Sequence, residues 1–327
     1  MMPSRTALLL GLGTALGVVF LVLAIWSLDW AAFAEEIRRA HFGQIALVLV
    51  CLFCYYGIKA ERWKHLVSPF ASASGRELQP AVVAGLAGNY VFPHFGEIAR
   101  AVLAGRKLGT PTSALLGSIA IERFFDFLAL LGIVLAILVP LGGVDDEIRM
   151  ASFAAAAICA VLLACVMLFV FRTEACIGVA RRMTAVFSGK FASLVARQLH
   201  HVRTGLGAIG APSLVIRILG WSVLQWIAIL GCITFALRAV DAPVALAGAV
   251  SVLLLNVIGL TLPAAPGHVG TIQLAFIAGL APFGVAQEEA LAASVVYNAI
   301  MVVPTLLLGL PALRKVAVEL RERLDGA

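Results

Sequence analysis

The ionisable side chains Glu97, Arg100, Glu122, Arg123 and Asp126 stand in stretches that are otherwise apolar, with His94 nearby. Inside a bilayer each such group costs at least about 2.5 kcal/mol on insertion scales, so it is paired, hydrated or used. Glu97 and Arg100 are three residues apart on one helical face, and Glu122 and Asp126 are four apart on another. In one geometry Arg100 or Arg123 bridges the two carboxylate-bearing helices. Two readings stay open at this point. The charges close a buried salt-bridge network that holds a helical hairpin, or an arginine is shared with an anionic headgroup while a carboxylate serves a counter-ion or proton.

A second chemistry lies at two Pro- and Gly-rich breaks. Where a helix breaks, backbone N–H and C=O groups lose their intrahelical partners and become available to a ligand. The first break is Gly88-Asn89-Tyr90-Val91-Phe92-Pro93-His94-Phe95-Gly96-Glu97, where the following half-helix points its positive end at the bend, an arrangement that suits phosphate. Asn89 either meets a ligand or satisfies backbone groups within the turn. The second is Pro263-Ala264-Ala265-Pro266-Gly267-His268-Val269-Gly270, with Gln273 one turn on and Asn256 before it. Gly267 stands at a bend expected to need a positive φ. His268 is either a titrating group or a hydrogen-bonded structural residue. Arg62 and Lys64, with Trp63 between them, read as an aromatic and basic anchor at the inner interface, with a headgroup contact as the weaker reading. Asp145 and Asp146 form an adjacent acidic pair in an external turn. Cys51 and Cys54 make a C-x-x-C with no second pair or ligand histidine, and read as core packing. The sequence shows no phosphate loop, dinucleotide glycine motif or hydrolase signature. It implies no metal and no cofactor, and the chain reads as not an enzyme.

Elements that could position these groups follow from composition. The chain has 327 residues, 62% hydrophobic and 13% charged, and a mean hydropathy of +1.03. Soluble domains are about half apolar and a quarter charged, so the chain reads as an all-α polytopic membrane protein forming a single domain. A bilayer core needs about 20 apolar residues of helix. Six full spans result: Ala7–Trp26, Gly43–Lys59, Ser113–Val139, Ala151–Phe171, Ser213–Leu237 and Ala290–Leu310. Leu78–Ala104 and Val244–Pro282 are apolar but broken at the centre, and read as re-entrant hairpins of two half-helices. Span, span, hairpin, span thus occurs twice, giving inverted repeats over about 7–139 and 151–313. A cytoplasmic amphipathic segment, about 174–206, is inserted in the second. Inverted repeats with interrupted helices point to a transporter with its site near the midplane. With a cytoplasmic N-terminus, Arg38, Arg39, Arg149 and Arg238 are the basic residues left outside, while Asp29, Glu35, Glu36, Asp145, Asp146, Glu147, Asp241, Glu288 and Glu289 collect there. The positive-inside rule therefore puts both termini in the cytoplasm. The net charge of +6 is read as facing anionic lipid, not nucleic acid. Oligomeric state is left open.

Four motifs carry a resemblance. They are Glu61-Arg62-Trp63, Asn89-x-x-x-Pro93-x-x-Gly96-Glu97-x-x-Arg100-Ala101, Ile121-Glu122-Arg123-x-x-Asp126, and Leu262-Pro263-x-x-Pro266-Gly267-x-x-Gly270. Together they make the chain resemble the lysylphosphatidylglycerol synthase transmembrane family, also described as the flippase-like domain family. The resemblance implies the lipid-translocating part without a following aminoacyl-transferase domain, and a cargo among phospholipid, polyprenyl-phosphate, glycolipid or hopanoid lipids. His268 departs from it, because a small residue is expected there. The expected function is a flippase of the cell inner membrane that moves a polar-headed lipid. An integral-membrane enzyme acting on a lipid phosphate and a proton-coupled small-solute carrier are the alternatives.

Overall fold

The computed structural model describes residues 22, 29–92, 95–138, 212–242, 246–260 and 265–325, with side chains through Arg314. Pro93, His94, Pro263, Asp145, Asp146, the segment 174–206, the span Ala151–Phe171 and nearly all of Ala7–Trp26 lie outside the described residues. Among the described residues the protein is all-helical: α1 Trp30–Arg39, α2 Phe42–Val67, α3 Gly75–Val91, α4 Phe95–Leu108, α5 Thr112–Leu138, α6 Pro212–Ala239, α7 Leu246–Leu260, α8 Thr271–Leu280 and α9 Gln287–Asp325, with 3-10 turns at Pro266–His268 and Ala281–Phe283. Among the described residues three segments are long and apolar enough to cross a membrane: Phe42–Val67, Ser213–Ala239 and Gln287–Arg314. Helix α5 has the length, at 27 residues, but Glu122, Arg123 and Asp126 interrupt its apolar run.

Local chemistry sets the helix ends. Asp29 caps α1 by accepting from the N–H groups of Ala31 and Ala32 at 2.9 and 3.1 Å. Ser74 and Glu77 form a reciprocal capping box at the start of α3, the Ser74 backbone N–H donating to Glu77 at 2.8 Å. These bonds hold the Glu77 carboxyl below the usual carboxylate range. Helix α2 runs eight residues past the end expected at Lys59, and α9 continues through Pro304 and Pro311 to Asp325. Proline inside a membrane helix is tolerated when neighbouring groups satisfy the freed carbonyls.

The residues fall into two compact units. The first draws on residues 1–56, 80–99 and 225–327. Within it α7 and α8 lie antiparallel, because a Cβ on Gly279 would meet the Val252 backbone nitrogen at 3.0 Å, and Gly259 abuts the methyl of Thr271. Small residues allow this close approach of backbones. Helix α9 packs on α8 through Phe276 and Tyr297, whose rings are 5.4 Å apart. It meets α3 where Gly309 faces Ala87 and the Val83 carbonyl. Tyr56 on α2 donates to the Thr305 hydroxyl at 2.5 Å, since Thr305 spends its own proton on the Met301 carbonyl. The second unit draws on residues 57–79 and 100–224. It contains the end of α2, most of α4, α5 and the start of α6.

Gly279→Leu should force α7 and α8 apart and cost about 1–3 kcal/mol, the usual penalty for overpacking. Gly43→Leu is the control, because nothing lies within 4 Å of a Cβ there. Thermal unfolding in detergent should show a lower midpoint for the first variant alone, and equal midpoints would contradict the helix pairing.

Candidate functional site: a buried ion cluster and two helix breaks

In the second unit, α2 places Lys59, Arg62 and Trp63 on one face through i, i+3 and i+4 spacing. Helix α4 supplies Arg100, α5 supplies Glu122 and Asp126, and α6 supplies Ser222. Lys59 is 4% exposed, Arg62 0%, Arg100 4%, Glu122 1% and Asp126 4%. Glu122 sits at the centre. It accepts from Lys59 Nζ at 2.5 Å and from Arg100 Nη1 at 3.2 Å, and Arg62 Nη2 stands 2.8 Å from its Oε1. A further short bond joins Arg100 Nη2 to Glu122 Oε2. Arg62 also binds Asp126 at Oδ1 and, at 3.4 Å, at Oδ2, and donates to the Ser222 hydroxyl at 2.8 Å. The Arg100 guanidinium lies 4.1 Å from the centroid of the Trp63 ring, whose indole N–H donates to Ser118 at 2.9 Å. The indole thus holds the cation over its π face while its polar edge is satisfied.

Removing charges from water is costly, and the attraction between them repays it only when geometry and hydrogen bonds are good. The cluster meets that condition unevenly. Among the described residues its three cations, Lys59, Arg62 and Arg100, pair with two carboxylates, Glu122 and Asp126. The Nε–H donors of Arg62 and Arg100 are buried with no acceptor among the described residues. An anion carrying several oxygens would supply both the missing charge and the missing acceptors.

Of the expected site residues, Arg100, Glu122 and Asp126 come together here. Arg123, one residue round the helix, lies on the exposed face of α5, and Glu97 is half-buried on α4 in the first unit. Arg62 belongs to the cluster and is fully enclosed, whereas Lys64 pairs with Glu61 at 3.1 Å in a more exposed position. Sequence reasoning missed Lys59 as a partner of Glu122. Its signal is the Lys59-x-x-Arg62-Trp63 spacing, but the sequence reading uses Lys59 only as the end of the second span and places the anchor on Arg62, Trp63 and Lys64.

The first unit holds both helix breaks. Asn89 Oδ1 accepts from the Gly96 N–H at 2.9 Å, so its carboxamide satisfies the start of α4. Gly96 there approaches the Gly85 carbonyl and Asn89, and Gly88 approaches Gly96. At the second break Gly267 has φ 70°, His268 54° and Gly270 86°. A left-handed conformation costs an L residue roughly 1–2 kcal/mol, which is why a small residue is expected where His268 stands. Gln273 Oε1 accepts from the Gly270 N–H at 2.7 Å, so each break is closed by a carboxamide oxygen. Pro266 opens the 3-10 turn. The His268 ring lies 5.7 Å from the Tyr90 ring in an edge-to-face arrangement, which brings the two breaks together within this unit. Among the described residues no group of three His, Cys, Asp or Glu side chains is placed to hold a metal ion.

Comparisons with known proteins bear on this arrangement. The family model of the lysylphosphatidylglycerol synthase TM region matches residues 8–309. The chain is 26% identical over 348 aligned positions to the glycosyltransferase AglD of Haloferax volcanii, covering 94% of this chain and 54% of that relative. It therefore spans about half the relative's length. No solved structure matches. The expectation that the chain is not an enzyme is corrected by this relative, which is named for a transferase. The sequence holds no catalytic motif to signal it, and the correction comes from similarity.

Glu122→Gln should destabilise the protein by about 3–5 kcal/mol, because it leaves buried cations without their shared carboxylate. Adding Lys59→Met should recover part of that loss, since one charge of each sign then leaves together. A Glu122→Gln variant with wild-type thermal stability in detergent would refute the shared-carboxylate arrangement.

Proposed function

Taking as premise that the chain belongs to the lysylphosphatidylglycerol synthase transmembrane-region family, we propose that it binds the anionic headgroup of a membrane lipid and moves it across the cell inner membrane. The single observation that supports this reading is that, among the described residues, the buried cations Lys59, Arg62 and Arg100 are paired with two carboxylates, Glu122 and Asp126, and leave two guanidinium Nε–H donors without an acceptor. A phosphate-bearing headgroup offers both the charge and the acceptor oxygens. The cargo class is a phospholipid, polyprenyl-phosphate, glycolipid or hopanoid lipid.

In this reading six spans and two broken hairpins form inverted repeats, and the distribution of Lys and Arg puts both termini in the cytoplasm. Breaks in both halves, each capped by a carboxamide and meeting through Tyr90 and His268, support the broken-helix arrangement of transporters. The path would use Asn89, Pro93, Glu97, Arg100, Glu122, Arg123 and Asp126 from the first half. Pro263, Pro266, Gly267, His268, Gly270 and Gln273 would serve from the second, with Arg62 and Lys64 near the headgroup.

A second reading comes from the relative named as a glycosyltransferase: the chain takes part in transferring a sugar to or from such a lipid. One experiment separates the two. Proteoliposomes carrying a tagged anionic lipid or a tagged zwitterionic one are followed for leaflet exposure and lipid mass. Translocation predicts that the anionic lipid changes leaflet at unchanged mass, about tenfold faster than the zwitterionic one. Gly267→Val should slow it at least tenfold, whereas Gly267→Asn, which tolerates a left-handed φ, should retain most of it. Equal rates for both lipids would contradict the anionic-headgroup reading. A lipid of altered mass in the presence of a sugar donor, with no leaflet exchange, would favour transfer.

A further inference from the structure

The ion cluster does not use the first unit's own polar side chains. Asn256 on α7, Thr271 at the start of α8 and Asn298 on α9 are 5%, 4% and 7% exposed. Both amide atoms of Asn256, the hydroxyl oxygen of Thr271 and the carboxamide oxygen of Asn298 have no partner among the described residues. A buried polar atom left unpaired carries its full desolvation cost, and in hydrocarbon no water is at hand to relieve it.

The three helices converge on the second break. Gly259, one turn after Asn256 on the same face of α7, abuts the Thr271 methyl. Val302, one turn after Asn298 on α9, is among the nearest neighbours of a Cβ at Gly267. Tyr90 lies on His268 at the break at 5.7 Å, and further along α8 Phe276 lies 5.4 Å from Tyr297, the sequence neighbour of Asn298.

The unpaired set is uncharged and mixed. The Asn256 amide nitrogen needs an acceptor, the two carboxamide oxygens need donors, and Thr271 can do both. A phosphate would leave the oxygens unmet, and a bare cation would leave the amide nitrogen unmet. A hydroxyl donates and accepts at once, and the C–H faces of a sugar ring sit well on aromatic rings. We propose that Asn256, Thr271 and Asn298 beside the second helix break bind a neutral, hydroxyl-rich group, the sugar or polyol part of a membrane lipid. This assignment stands whether or not the ion cluster binds an anion, and its test uses uncharged lipids so that the two can fail separately.

The full chain is placed in phosphatidylcholine nanodiscs doped with equal amounts of monoglucosyldiacylglycerol and diacylglycerol, and the retained lipid is read by native mass spectrometry. Retention of the glucosyl lipid should exceed that of diacylglycerol by about tenfold, the ratio that one or two net hydrogen bonds supply. Asn256→Leu and Asn298→Leu should bring the ratio to parity without lowering the thermal midpoint, because each removes a buried carboxamide whose oxygen has no partner among the described residues. Should a leucine variant fail to fold, Asn256→Ser serves in its place, and the wild-type ratio remains decisive. Displacement by millimolar methyl glucoside supports recognition of the sugar alone, and retention against it supports recognition of the lipid-anchored form. Equal wild-type retention of the two lipids would overturn the proposal in favour of trapped water. Stabilisation by sodium over choline, with no effect of the glucosyl lipid, would overturn it in favour of a cation site.

Discussion

A carboxylate at the middle of a 27-residue apolar helix constrains everything packed around it. Glu122 cannot remain ionised there without cations, and it draws Lys59 and Arg62 from α2 and Arg100 from α4 onto one group. Asp126, one turn on, holds Arg62 from the other side, and Ser222 adds an acceptor from α6. Each charge is tolerable only because the others are present, so the register of these helix segments is fixed jointly. Arg100 gains a second restraint from Trp63, which in turn is fixed by Ser118 on α5.

The first unit solves a different problem, the breaking of helices in an apolar setting. Glycines at 96, 279 and 309 come close to neighbouring backbone, and Gly259 to the Thr271 methyl, so the helices approach closely. Asn89 and Gln273 return a carboxamide oxygen to the N–H groups freed at each break. Asn256, Thr271 and Asn298 keep buried polar atoms that have no partner among the described residues. A left-handed histidine is kept at the same break, its ring against Tyr90.

Much of this was legible in the sequence. Helical class and the positions of both breaks followed from apolar length and from Pro and Gly, and the positive φ at Gly267 followed from the bend it occupies. The pairing of Arg100 with Glu122 was one of the bridges that spacing allowed. The end of α2 was misplaced because hydropathy stops at the first charge. Lys59 and Arg62 are charged yet enclosed, and the helix runs on through them. For the same reason the apolar run of α5 looks interrupted although Glu122 and Asp126 are paired inside. Hydropathy weighs each charge alone, whereas burial depends on partners distant in sequence: 63 residues separate Lys59 from Glu122, and 160 separate Arg62 from Ser222. A transferase-named relative likewise lay beyond reach, because no local motif in this chain announces that chemistry.

In the proposed function a lipid anion balances the third buried cation of the cluster, which two carboxylates among the described residues leave over. The direct measurement is native mass spectrometry of the protein extracted from its own membrane, comparing wild type with Lys59→Met, which leaves two cations against two carboxylates. The account predicts one anionic, phosphate-bearing lipid retained per chain by the wild type, and its loss from a Lys59→Met variant that stays folded. Wild-type protein that carries no anionic lipid, or a folded Lys59→Met variant that keeps it at full occupancy, would contradict the account.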